Sequence, residues 1–218
     1  MSEVEQRFWA ALTAEERELV RGLATPLQIQ AFLDSIPYAR AGNRSPLNVL
    51  RERKAHCLDG AIFAAAMLRL HGYPPLILDL IPEPGRDDDH VLALYRVNGR
   101  WGCLAKSNFV GIRARQPVYA NLRELAMSYF ETYYNVEGEY TLRGYSRKMD
   151  LRLWDALDWM LADAGIDEIE RRIPRLRHTI TVPPALAAQL PRVDERTYTA
   201  NLLGADPAGL YHPGEENL

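Results

Sequence analysis

Cys57 and His90 are the residues of this 218-residue chain whose types and surroundings best fit nucleophilic chemistry. Cys57 opens an apolar, alanine-rich segment over 58–70, which predicts a helix buried on most of its faces. Because a helix N-terminus presents unpaired N–H groups and about half a positive charge, a cysteine there is expected to have a lowered pKa. His90 follows three aspartates and begins an apolar strand, so we expect it at the solvated rim of a sheet, where it can accept the thiol proton.

Other residues with chemical potential are interpreted as structural. The second cysteine, Cys103, lies in an apolar strand and is expected in the core. Two cysteines are too few for a disulfide framework or a cysteine-only zinc site. A metal site built from His56, Cys57 and His90 would have three ligands from two segments without paired spacing, so we predict neither a metal nor another cofactor. The acidic run 87–89 lacks the spacing of a calcium loop and predicts a solvated, charged loop.

The partner strand of a predicted hairpin supplies the candidates for a third group. Asn98-Gly99 between two apolar runs predicts a tight turn whose length sets the register of the strands. A two-residue loop places Ser107 opposite His90, whereas a three-residue loop shifts the register by one and places Asn108 there. An amide oxygen accepts the imidazole N–H and fixes its tautomer without adding charge. Asn108 is therefore the favoured third residue, and Ser107 is the alternative.

Predicted helices flank this central region on both sides. Apolar residues recur at helical spacing over the first twenty-odd residues, and a second short helix is predicted over 26–33. The centre combines the buried helix, a strand over LILDLI, the hairpin and a further helix over about 122–134. Beyond about residue 150 the chain is mostly helical and then broken by prolines. We divide the chain into an N-terminal helical segment (1–44), a core (45–145) and a helical extension (146–218) that packs on the core.

The order of these features resembles that of the transglutaminase-like branch of the papain-like cysteine hydrolases. The matching stretches are AHCLDGAIFAAAMLRLHGYPPLILDL and DDDHVLALYRVNGRWGCLAKSNF, within about 45–108, and Trp101 stands where the family has a tryptophan before its third residue. The resemblance implies an α+β fold with a papain-like core, in which a buried nucleophile helix packs against a small antiparallel sheet and terminal helices flank it. The family usually completes its triad with aspartate, and none lies between Trp101 and Asn121. The papain-like branch uses asparagine, which again favours Asn108.

The same resemblance implies a mechanism. The Cys57 thiolate would attack an acyl carbon, His90 would transfer the proton, and water or an amine would resolve the acyl-enzyme. We therefore predict a hydrolase or acyltransferase that acts on an amide, peptide or thioester bond. The backbone N–H of Cys57 and one further donor would hold the oxyanion. The sequence does not rank the candidates for that donor, which are Gln28, Gln30 and Asn48. The alternative function is a catalytically inactive papain-like domain that binds a peptide or partner protein, because the usual aspartate is missing and the C-terminal extension is long.

Composition argues against several classes of partner. The chain has 26 basic and 29 acidic side chains, a net charge of −3, so it lacks the overall positive field that gathers nucleic acid. No apolar run approaches the ~20 residues that span a bilayer, and the acidic, amphipathic N-terminus is unlike a secretory or transit signal. We expect a cytoplasmic protein whose partner is a peptide, a protein or a small amide or thioester substrate.

Overall fold

Helices dominate the first seventy residues and strands follow, in a computed structural model that describes residues 1–40 and 42–214. The α-helices are α1 (Glu3–Ala11), α2 (Ala14–Gly22), α3 (Pro26–Ser35), α4 (Pro46–Glu52), α5 (Cys57–Leu70), α6 (Leu122–Met127), α7 (Asp163–Arg172), α8 (Pro184–Ala187) and α9 (Glu195–Asn201). The strands are β1 (Leu76–Pro82), β2 (His90–Val97), β3 (Arg100–Leu104), β4 (Arg115–Tyr119), β5 (Leu142–Ser146), β6 (Met149–Asp150) and β7 (His178–Ile180). Within the described ranges, no helix has the length and apolar character needed to cross a membrane.

The N-terminal segment forms two helices where one continuous helix was predicted. The first ends at Ala11, and Thr13 caps the second, because its hydroxyl accepts the N–H of Glu16 while the Glu16 carboxylate accepts the N–H of Thr13. This reciprocal pairing satisfies two N–H groups that a helix start leaves unpaired. The chain bends at Leu12 and Thr13, and the buried side chains Val4, Phe8 and Val20 of α1 and α2 enter the same core.

An antiparallel sheet forms the centre of the fold, with the order β4-β3-β2-β1-β5-β7 and with β6 paired to the start of β1. The hairpin between β2 and β3 turns through Asn98 and Gly99, which both have positive φ, 48° and 78°. Asn and Gly are the residues that adopt such angles in a two-residue turn. The predicted hairpin and the general α+β class are therefore confirmed.

The last third of the chain contributes strands to this sheet, which differs from the predicted helical extension. The predicted core boundary at residue 145 falls inside β5, which pairs with the end of β1. β7, far along the predicted extension, then pairs with β5 as an edge strand. The sequence pattern missed β7 because it has three residues, all exposed, and lacks the apolar alternation that marks a strand.

The two faces of the sheet carry separate hydrophobic cores. Helix α5 packs on one face, together with Val91 and Ala93 of β2. The other face carries a second core that includes Leu92 and Leu94 of the same strand, with residues of α6 and Tyr129. Because side chains alternate along a strand, sequence neighbours on β2 belong to different cores.

Small residues let α5 approach its neighbours closely. A Cβ atom added at Gly60 would lie 2.3 Å from the Cβ of Lys106. The Lys106 ammonium is buried and donates to the carbonyl oxygens of Leu33 and Ile36, at 2.9 and 2.5 Å. The end of α3 and the segment after β3 are thereby held against the first turn of α5, which fixes the position of Cys57.

Candidate functional site

Cys57 is the first residue of α5, and the helix cap is supplied by its neighbour. The ring Nδ1 of His56 accepts the backbone N–H of Leu58 at 3.2 Å, which satisfies one of the unpaired donors at the helix start. Burial lowers the pKa of His56 to about 4, so at neutral pH the ring is uncharged and keeps a nitrogen that can accept. His56 is therefore a cap for α5.

The Cys57 thiol is buried and protonated at neutral pH. Its Sγ donates to the backbone oxygen of Asp89 at 3.8 Å, and the residue is 6% exposed. Burial raises its pKa well above the usual value, with a further rise from the Asp88 and Asp89 carboxylates, while the backbone N–H of Val91 opposes the rise. The lowered pKa expected at a helix N-terminus is therefore wrong for this site, because desolvation and neighbouring negative charge outweigh the helix dipole.

His90 is also buried and neutral. It is 3% exposed, and its ring makes edge contacts with Tyr129 and Tyr133. Its Nε2 lies 2.7 Å from the backbone oxygen of Ile112. A carbonyl oxygen only accepts, so Nε2 carries the hydrogen and Nδ1 is the basic nitrogen. Burial lowers the pKa of His90 to about 4, and Arg115 contributes to the decrease.

The prediction that His90 lies at a solvated rim of the sheet is wrong, because the acidic run before it is half-buried. Asp87 accepts the hydroxyl of Thr141, and burial raises its pKa to about 6. Burial and the charge of Asp88 raise the pKa of Asp89 to about 7. The run is therefore part of the site's interior, and its charge varies near neutral pH.

Cys57 and His90 lie at the same end of β2 but on its two sides. The Cys57 thiol meets the backbone of Asp89 on the side of α5, whereas the His90 ring packs with Tyr129 and Tyr133 on the side of the second core. Among residues 1–40 and 42–214, no hydrogen bond joins the two side chains. The structure brings the predicted nucleophile and base to one strand end without pairing them.

The register of the hairpin contradicts the preferred third residue. Val97 pairs with Arg100, which is the two-residue loop, so the three-residue register that favoured Asn108 is wrong. The ladder ends at Leu104, before Ser107 can pair with His90. The backbone oxygen of Ile112 occupies the position opposite Nε2 instead and fixes the imidazole tautomer.

Ser107 and Asn108 have other partners. The Ser107 hydroxyl accepts the N–H of Phe109 at 2.9 Å. The Asn108 amide donates to the backbone oxygen of Asp206 at 2.7 Å and accepts the backbone N–H of Asp206 at 2.8 Å. The side chain of Asn108 therefore clamps a C-terminal segment.

The three predicted oxyanion donors hold structural positions. Gln28 bonds Thr25 at the start of α3. Gln30 bonds the backbone of Ala105 through both its nitrogen and its oxygen, at 2.9 and 3.1 Å. Asn48 donates to the Asp163 carboxylate, which joins α4 to α7. None of the three borders the cavity at Cys57 in the part of the chain that the structure describes.

A cavity of about 250 Å³ opens at Cys57, and a smaller one of about 50 Å³ adjoins it at His90. The residues that border both are Tyr38, Asp88, Asp89, Gly209 and Tyr211. Sequence reasoning missed Tyr38, Gly209 and Tyr211, which reach the site only through long-range packing. The described residues contain no group of three or more His, Cys, Asp or Glu side chains able to hold a metal ion.

Comparison with known proteins does not assign the chain to a family. No protein-family model matches the chain, and a search of curated proteins finds no related sequence.

Proposed function

We propose that this protein is a cysteine-nucleophile hydrolase or acyltransferase that acts on an amide, peptide or thioester bond through an acyl-enzyme on Cys57. The observation that carries the proposal is the position of Cys57. Cys57 is the first residue of the buried helix α5 and borders the cavity of about 250 Å³. Its thiol contacts the backbone of Asp89, directly before β2 begins at His90. The transglutaminase-like order of helix, strand and hairpin is a second line of support.

The resting pair consists of a neutral thiol and a neutral imidazole, so proton transfer accompanies attack. Because the two side chains lie on opposite sides of β2, the Cys57 S–H proton would reach Nδ1 of His90 through water in the two adjoining cavities as sulfur bonds to the acyl carbon, and the carbonyl π electrons move to oxygen. The proton then passes to the leaving amine or thiolate as its bond to carbon breaks. Water or an amine then attacks the thioester and loses its proton to His90. As the C–S bond breaks, that proton passes to the Cys57 sulfur, which restores the neutral thiol and the neutral imidazole. The Ile112 carbonyl keeps the imidazole in the tautomer that this sequence requires.

A non-catalytic domain that binds a peptide or partner protein is the second candidate. The absence of a Cys57–His90 hydrogen bond within the described residues favours it, as does the raised pKa of the thiol. Both functions would use the same cavity, and only the first needs a covalent intermediate.

Acylation by a small thioester separates the two. Incubation with S-phenyl thioacetate followed by intact-mass analysis should show one acetyl group on the wild-type chain, at Cys57 by peptide mapping. Cys57→Ala should abolish the adduct, and His90→Ala should slow its formation about 100-fold or more, as expected for a lost general base. Cys103→Ala, the matched control, should acylate at the wild-type rate. A wild-type chain that takes up no acetyl group between pH 6 and 9 would refute the enzyme and leave the binding domain.

A further inference from the structure

Tyr38 is held next to the nucleophile by backbone pairing. It forms a parallel bridge with Ala55, and the neighbouring N–H of Ala39 donates to the Ala55 oxygen at 3.0 Å. Ala55 is fully buried and stands two residues before Cys57. The backbone of Tyr38 therefore keeps a fixed position relative to the start of α5.

The side chain of Tyr38 occupies the boundary between the two cavities. It borders the cavity at Cys57 and the cavity at His90. Gly209 packs against the ring so closely that a Cβ there would lie 2.7 Å from the ring Cδ1. Tyr38 and Cys57 border the same cavity. The phenol therefore shares a cavity with the start of α5, where the backbone N–H of Cys57 is the first donor available to an oxyanion on that residue.

An acyl oxygen needs a second donor at this place, and the acidic and amide side chains around the cavity do not suit the role. Asp88, Asp89 and Glu170 are acids whose ionised forms would repel an oxyanion. The Asn43 amide donates to the carboxylates of Asp167 and Glu170. A neutral phenol supplies an O–H without adding negative charge.

We propose that the Tyr38 hydroxyl donates a hydrogen bond to the carbonyl oxygen of the acyl group that Cys57 attacks, and so completes the oxyanion site begun by the Cys57 backbone N–H. This inference rests on the proposed function. As the C–S bond forms, the carbonyl π electrons become a lone pair on oxygen, which both donors stabilise, and the Tyr38 proton stays on its own oxygen. Burial raises the pKa of Tyr38 well above its usual value, which keeps the phenol protonated in the working pH range.

Tyr38→Phe tests the inference because it removes only the hydroxyl. The rate of Cys57 acetylation by S-phenyl thioacetate should fall about 100-fold, the size of effect seen when one oxyanion donor is removed. Alkylation of Cys57 by iodoacetamide forms no oxyanion, so its rate should stay within about twofold of wild type. Tyr198→Phe is the matched control, since its hydroxyl bonds Val136 away from the cavity, and it should leave both rates unchanged.

The outcomes distinguish this inference from the proposed function. A wild-type chain that alkylates but never acetylates refutes the acyl-enzyme and the role of Tyr38 with it. A wild-type chain that acetylates, with Tyr38→Phe equally fast, overturns the role of Tyr38 and leaves the function standing. Equal slowing of acetylation and alkylation in Tyr38→Phe shows a structural role and also overturns the inference.

Discussion

Cys57 and Cys103 are both buried, yet they lie in opposite kinds of environment. Cys57 begins a helix and borders a cavity of about 250 Å³. Cys103 lies inside β3, has no exposed surface, and its Sγ lies 3.0 Å from the hydroxyl of Tyr129. Burial raises the pKa of both thiols, that of Cys103 to about 11. Their difference is therefore one of access to a ligand and not of charge at rest.

This contrast shows that burial alone does not separate a reactive cysteine from a structural one. Either thiol would be judged inert from burial alone. In the structure, the cavity and the polar groups that border it distinguish Cys57 from Cys103. The comparison can be tested first by reactivity and then by stability.

The largest expected difference is in the rate of alkylation. Reaction of the native chain with iodoacetamide should label Cys57 at least about 100-fold faster than Cys103, because Cys103 is reached only when the sheet opens. Peptide mapping at timed intervals measures both rates in one sample. Denaturation in urea, where the two thiols should react alike, is the control. Comparable slow labelling of both cysteines in the native chain would remove the distinction.

Stability should show the reverse order. Cys103→Ala removes a buried sulfur and its contact with Tyr129, and should lower the free energy of unfolding by about 2 kcal/mol. Cys57→Ala should cost less than about 1 kcal/mol, because its side chain already faces a cavity. Urea unfolding of the two variants, read by circular dichroism, compares them directly. A larger loss for Cys57→Ala would mean that the thiol serves the fold.

The smallest of these expected effects comes from changing Asp79, a buried acid near Cys57. Its Oδ1 is the one fully buried side-chain polar atom in the described residues without a hydrogen-bond partner. Burial, with the charges of Asp89 and Asp88, raises its pKa well above the usual value. A carboxyl whose pKa is raised by folding stabilises the fold below its unfolded pKa and loses that contribution as pH increases towards the folded pKa.

Asp79→Asn should therefore stabilise the protein by about 1 kcal/mol at pH 8 and leave it nearly unchanged at pH 4. Urea titrations at the two pH values measure the difference. Because the charge of Asp79 also contributes to the raised pKa of Cys57, the variant should alkylate faster at Cys57 and equally fast at Cys103. An equal gain in stability at both pH values would exclude ionisation as the cause.

Local patterns were sufficient to predict much of the framework. The alanine-rich run predicted the buried helix α5, and Asn98-Gly99 predicted the hairpin, because each signal lies within a short segment. Both cysteines were assigned to the right elements for the same reason. Two features were not predicted. The short edge strand β7 depends on its distant partner β5, and the break between α1 and α2 depends on the capping residue Thr13.

The site itself was harder to predict, because it depends on which way side chains point. The alternation along β2 puts His90 with Tyr129 and Tyr133, whereas the Cys57 thiol meets Asp89 on the other side. One residue of register decides that outcome. Tyr38 reaches the site through its bridge to Ala55, and no sequence motif marks that contact.

The clamp between Asn108 and Asp206 has a consequence for any ligand of the cavity. The clamp holds the C-terminal segment against the rest of the chain, and this segment places Gly209 and Tyr211 at both cavities. A peptide that enters either cavity therefore contacts a wall built from the C-terminal segment, and the Asn108–Asp206 clamp holds that wall in place.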